Sequence, residues 1–192
     1  MKKLLLLLSI PFVLSGCFGS TGSTTGTGIA SNPNYITYET ATFVIAYPKD
    51  WEVIDSKSFT SNVPPETIVD FRNNIKNEIF TANSNISQVP LPPEVISADF
   101  GKSTLLKSKE SLVSFQELSK EEFVIKYKDQ DITTFISGFE GKKSPSDPII
   151  KFKQLYIAYQ GTGYVITSAY LPTEDEGVVK MTDEMLHSFS LK

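Results

Sequence analysis

The sequence has one cysteine, Cys17, one histidine, His187, and one arginine, Arg72. A lone cysteine excludes an intrachain disulfide and any cysteine-based zinc cluster. The shortage of arginine, in a chain of net charge -4, excludes the basic field that a nucleic-acid-binding surface needs. Lys2 and Lys3 lie in a segment expected to be removed, so the mature balance is more acidic still. No apolar run is long enough to cross a bilayer. Leu4 to Leu14 contains Pro11 and would rise only about 16 Å as a helix, against a hydrocarbon core of about 30 Å.

What that short run can be is a signal peptide, residues 1–16, with Lys2 and Lys3 as its positive start. It closes on Leu14-Ser15-Gly16-Cys17, which resembles the bacterial lipobox. The resemblance implies cleavage between Gly16 and Cys17, a diacylglycerol on the Cys17 thiol and an acyl chain, such as palmitate, on the new amino group. The alternative is a plain secretory signal with a chance cysteine; the placement of the four-residue pattern and the lack of a second cysteine favour lipidation. Two or more acyl chains hold stably, because each buried methylene contributes about 0.8 kcal/mol. The expected location is a cell membrane, on its extracytoplasmic side, without distinction between inner and outer membrane.

Residues 17–34 follow as a tether. From Phe18 to Asn34 the chain is almost entirely Gly, Ser, Thr and Asn, which cannot bury a core. A flexible coil of that length spans about 20–25 Å root-mean-square. Its Gly-X-Gly fragments lack the preceding strand and following helix that a phosphate loop requires.

Residues 35–192 carry the patterns of one folded domain. Phe43, Ile45 and Tyr47 alternate with Thr42, Val44 and Ala46 as in a strand, closed by Pro48. Trp51 and Val53 resume the alternation after a corner. Further strands are expected around Ile68 to Phe71, Ile79 to Ile86, Phe115 to Leu118, Phe123 to Tyr127, Ile132 to Phe139 and Phe152 to Gln160. Gly161-Thr162-Gly163 reads as a hairpin turn into a strand from Tyr164 to Leu171. Pro92-Pro93-Glu94 predicts a helix to about Lys109, with Val95, Ala98, Leu105 and Leu106 inward. Thr173-x-x-Glu176 matches a capping box for a second helix, whose apolar stripe is Val178, Thr182, Met185, Leu186 and Phe189. Runs of strands with helices at two separated places give an α+β class with a mostly antiparallel sheet flanked by helices.

The order of these features resembles the PsbP family, including its cyanobacterial lipoprotein members. The matching pieces are Phe43-x-Ile45-x-Tyr47-Pro48-x-x-Trp51, then Ser84-Asn85-Ile86-Ser87, then Pro92-Pro93-Glu94-Val95. Gly163-Tyr164-Val165-Ile166-Thr167 and a terminal helix closing on Ser188-Phe189 complete the series, over roughly residues 35 to 192. The resemblance implies an α/β/α sandwich and a non-catalytic accessory role at a membrane complex. In photosynthetic members that complex is photosystem II. Fold is implied more firmly than function, because one fold hosts many roles.

Chemistry-bearing residues are few. Asp183, Glu184 and His187 share one face of the second helix and could offer metal ligands; a solvated helix end is the alternative. A Ser-His-Asp triad would need the same His187, and no G-x-S-x-G, H-E-x-x-H, C-x-x-C or phosphate-loop signature is present. Glu121-Glu122 and Asp129 with Asp131 sit in polar, turn-like surroundings. Lys142, Lys143, Lys151 and Lys153 form the one basic concentration, suited to anionic headgroups or simply to a soluble loop. The expectation is therefore an anchored accessory protein for a membrane complex, without enzymatic activity, resident cofactor or metal. The competing reading is an envelope lipoprotein that binds a small ligand, a metal or a cell-wall fragment.

Cys17→Ser should abolish lipid labelling and leave the protein unanchored or unprocessed. Unchanged partitioning into detergent would rule out Cys17 as the anchor.

Overall fold

The Phe43 alternation forms β2 (Phe43–Pro48), on which β1 (Tyr35–Glu39) lies antiparallel, Tyr35 opposite Pro48. The computed structural model describes residues 32–59 and 63–192. The signal peptide, Cys17 and the tether as far as residue 31 lie outside the described residues. The tether's last residues are built in: Asn32 accepts from the Tyr35 N–H, and Asn34 accepts from the Lys49 N–H at 2.9 Å.

The remaining elements are β3 (Glu52–Asp55), β4 (Thr67–Arg72), β5 (Asn83–Pro90), α1 (Ser97–Ser111), β6 (Val113–Tyr127) and β7 (Gln130–Lys142). Then follow β8 (Ile150–Tyr159), β9 (Thr162–Tyr170), α2 (Glu176–Ser188) and β10 (Ser190–Leu191). Seven strands pair antiparallel in the order β3-β4-β5-β9-β8-β7-β6, and β1-β2-β10 form a smaller sheet. The class is α+β and mostly antiparallel, as expected. Helices flank the large sheet on both faces, as expected: α1 covers one, and α2 covers the other in a layer it shares with the three-stranded sheet. No described helix is long and apolar enough to cross a membrane.

Period-two alternation divides the large sheet's side chains between two cores. Tyr164 and Ile166 of β9, Leu155 and Ile157 of β8 and Ile86 of β5 pack with Met185, Leu186 and Phe189 beneath α2. Val165, Tyr156 and Phe135 point the other way and meet Phe100 of α1. The β8–β9 hairpin turns on two residues, Gln160 at φ 48° and Gly161 at φ 77°, which suits the right-handed strand twist.

Four expectations shift. Ile79 and Phe80 belong to the β4–β5 loop, not to a strand; Phe80 packs against the small cluster of Ile150, Ala169 and Leu171. The two strands expected within 115–127 are one, β6, with register shifts between Val113 and Gln116 and between Glu117 and Ser119. α1 starts at Ser97, four residues after the prolines, and buries Ser97, Phe100 and Gly101, leaving Leu106 54% exposed. α2 is capped by Asp175, whose Oδ1 accepts from the N–H groups of Gly177 and Val178, so Thr173 is not the cap. Asp reaches the same orphan amides two residues later in the chain.

Gly101 fixes how closely α1 approaches the sheet. A Cβ there would stand 2.8 Å from the Phe135 ring and 2.9 Å from Tyr156. Both partners are buried, so neither can move aside freely. Gly101→Val should therefore destabilise the fold by roughly 2 kcal/mol or more through overpacking, despite replacing a poor helix former. Urea unfolding checks it; an unchanged midpoint would show that α1 lifts without cost.

Candidate ligand cleft

α1 crosses β7 and β8 and reaches β9 through Phe100, and among the described residues no helix lies over the adjoining surface of β4 and β5. A cleft of about 520 Å³ opens there. Asn83, Asn85 and Ser87 of β5 line its floor, with Thr67 and Asp70 of β4 on one side and Gln154 and Thr167 on the other. Thr104 and Lys107 of α1 form one wall and Val63, Pro64 and Glu66 another. Strand alternation explains the chemistry: in Asn83-Ser84-Asn85-Ile86-Ser87, Ser84 and Ile86 are fully buried on the α2 side, so the polar alternates face the cleft.

Some of these groups are already committed. Gln154 donates to Thr167 Oγ1 at 3.0 Å and accepts from the Tyr156 hydroxyl at 2.9 Å, which fixes its amide. Thr67 and Ser87 share a hydrogen bond of 3.3 Å. Asn83 donates to the Thr81 carbonyl. Asp70 is only half satisfied. Its Oδ2 accepts from Arg72 Nη2 at 3.1 Å, while Oδ1 is buried with no hydrogen-bond partner among the described residues. Burial pushes the Asp70 carboxyl above its ordinary range; Arg72 pulls it back in part and Glu52 adds to the rise. An unpaired buried carboxylate oxygen normally costs 1–3 kcal/mol or more in order of magnitude, a cost that a bound donor would relieve. The arrangement can hold a hydrophilic group by hydrogen bonds from amide, hydroxyl and carboxylate side chains.

The residues singled out by sequence lie on the other face and are engaged there. Asp183 pairs with Lys153, which ties α2 to β8. Glu184 accepts from the Tyr35 hydroxyl and lies 3.7 Å from Lys180. His187 places Nδ1 2.8 Å from the Asp183 carbonyl and packs edge-on against Phe123. The Asp183 carboxylate and the Glu121 carboxylate lie 3.9 Å from His187 Nδ1 and Nε2 respectively, while Glu184 is drawn away, and among the described residues no group of three or more His, Cys, Asp or Glu could hold a metal ion. Glu121 and Glu122 fall on successive positions of β6, opposite Ile136 and Phe135, and so face apart. Asp131 pairs in register with Lys126 across the β6–β7 ladder. Lys142, Lys143 and Lys151 stay together at one end of the sheet, whereas Lys153 leaves the group for Asp183. Cys17 lies outside the described residues. The cleft went unseen in the sequence because its residues come from five elements; the one signal was an aspartate within the apolar strand Thr67-Ile68-Val69-Asp70-Phe71.

Because the folded state raises the Asp70 pKa, it holds that proton more tightly than the unfolded chain does. Stability therefore falls as pH rises through the raised value, and the ionised group is a net cost above it. Asp70→Asn should raise Tm at neutral pH by roughly 2 °C, a gain that shrinks as acid protonates the wild-type side chain. Thermal melts across pH decide this; a lower Tm for the variant at neutral pH would mean that the Arg72 pair outweighs the burial.

No family model matches the sequence, and no curated protein matches it. Among solved structures, cyanobacterial PsbP (CyanoP) from Synechocystis sp. PCC 6803 superposes with a TM-score of 0.58 at 16% identity, over 91% of this chain and 100% of that one. PA94 of Pseudomonas aeruginosa, a protein of unknown function, gives a TM-score of 0.49 at 12% identity over 79% and 94% of the two chains. LpqN of Mycobacterium tuberculosis, involved in cell envelope biogenesis, gives 0.48 at 12% identity over 82% and 89%. The last two are too distant to guide a reading, and the first is a likeness of architecture: this chain has a PsbP-like fold.

Proposed function

We propose that this chain is a lipid-anchored extracytoplasmic accessory protein that acts by binding a membrane protein complex, not by catalysis. The observation that carries the reading is the cleft beside α1, where hydrogen-bonding side chains converge on an incompletely satisfied Asp70. Leu14-Ser15-Gly16-Cys17 and the Gly/Ser/Thr tether support the anchored part. Tethering confines the domain to a thin layer, which raises its effective concentration for a weak partner. The PsbP-like fold supports the accessory part by analogy only.

A second reading is favoured by the shape of the same cleft. A volume of about 520 Å³ lies within the range of small-molecule sites, and a buried carboxylate oxygen suits a hydroxyl or amino group of a hydrophilic ligand, such as a cell-wall fragment.

A photo-crosslinking side chain at Lys107, on the exposed rim, separates the two in native membranes. The accessory reading expects one membrane protein to be captured, and capture to be lost when Asn85→Lys blocks the floor. It also expects the chain without its anchor to bind that protein more weakly, with restoration by an unrelated lipobox and tether. A small molecule retained in native mass spectrometry, lost with Asp70→Ala, and no captured protein would replace it by the receptor reading.

A further inference from the structure

The β4–β5 loop, residues 73–82, displays apolar side chains where solvent should be. Ile75 is 74% exposed and Ile79 is 68% exposed, more than any other large apolar side chain described. Their display is built, not slack. The Asn73 side chain accepts from the Ile75 N–H at 3.1 Å, and the Asn77 side chain accepts from the Ile79 N–H at 2.8 Å. Two successive side-chain-capped turns thus aim two isoleucines outward. Phe80 then folds back against Ile150 and Leu171, which ties this loop to the β7–β8 loop and its half-exposed Ile149.

The tether reaches the domain at the same end. Asn34 bonds to Lys49, which stands three residues before Glu52; Glu52 is opposite Arg72, and Arg72 leads into the β4–β5 loop. Lys142, at the end of β7, and Lys143, in the β7–β8 connection, lie beside it, and Lys76 is between the two isoleucines. None of these three lysines has an ion-pair partner among the described residues. Glu78 and Asp147 stand in the same two loops, so the charge is mixed and the apolar groups lead.

From these positions we propose that the β4–β5 and β7–β8 loops form a membrane-contacting end, with Ile75 and Ile79 resting in the lipid interface. The inference depends on the anchored reading above, because two isoleucines are too few to hold a domain on a bilayer unaided. With an acyl anchor already in the membrane, their contact sets orientation. A coil of the tether's length spans about 20–25 Å root-mean-square, so this end stays near the surface on average. The opposite end, at the Lys128–Asp129 turn, stands roughly 40 Å away along β7. A membrane is preferred over a protein groove as the occupant because the tether enters at this end and brings it to the lipid surface more often than the far end.

The test uses the chain from Cys17 onward, which holds every described residue, coupled through that thiol to a maleimide lipid. Chemical coupling supplies the anchor whatever the cell does to Cys17, so failure of natural lipidation is read separately by flotation of the Cys17→Ser protein. An indole is introduced by Ile79→Trp or, at the far end, by Asp129→Trp, with Trp51 as the buried background. Vesicles of phosphatidylethanolamine and phosphatidylglycerol with brominated chains are the probe. The Ile79→Trp signal should be quenched at least about twofold and shifted to the blue, as an interfacial indole is, and the Asp129→Trp signal should not. Unchanged emission from Ile79→Trp on anchored chains, or equal quenching at both ends, would overturn the proposal. Both positions are exposed, so melting should match wild type and exclude misfolding as the cause.

Discussion

The contact on which the rest of the architecture depends is the aromatic trio of Phe43, Tyr164 and Phe189. Phe43 stacks on Phe189 at 5.3 Å, and both lie against Tyr164, at 5.9 Å and 5.7 Å. The trio brings together the second strand of the domain, the central strand of the large sheet and the exit of the last helix. Aromatic pairs of this kind contribute about 0.5–1.5 kcal/mol each beyond the area they bury. Closing both chain ends on one face has two results. It fixes where the chain enters the domain, and among the described residues it leaves α1 as the sole cover of the opposite face, too narrow to roof β4 and β5.

That uncovered region explains how Asp70 can persist between Val69 and Phe71, both fully buried. A carboxylate there would be intolerable under a helix, where no donor could approach Oδ1. At the edge of a cleft it costs stability, with its Oδ1 buried and unpaired among the described residues just beneath the lining. Folding alone would favour a neutral residue at this position. Side chains that weaken the fold while facing an opening are where function is reasonably sought.

Much of this fold was legible because periodicity is a local property. The Phe43-Ile45-Tyr47 alternation, the Gly161 hairpin and the stripe of Thr182, Met185 and Leu186 all appear where the sequence predicts them. The misreadings have physical causes. Ile79-Phe80 has the composition of a strand, but Asn73 and Asn77 spend their side chains on turns and withdraw the segment from pairing. Thr173 lost its capping role to Asp175, an equally good acceptor nearer the helix. Lys153 looked like part of a basic group until packing placed it beside Asp183. The cleft was illegible because no short stretch contains it; it exists only once β4, β5, β8, β9 and α1 converge.

The long edge strand β6 bears on crowding. It ends the large sheet, so among the described residues one flank of its backbone is open to recruit another strand. If the proposed anchor holds copies on one bilayer, they would meet edge to edge far more often than copies tumbling in water. Their alignment would then favour edge pairing. Two register shifts kink this flank, and Lys120, Glu121, Glu122 and Lys126 stud it with exposed charge. These irregularities keep an open strand edge from finding a straight partner, so neighbours can be dense without pairing.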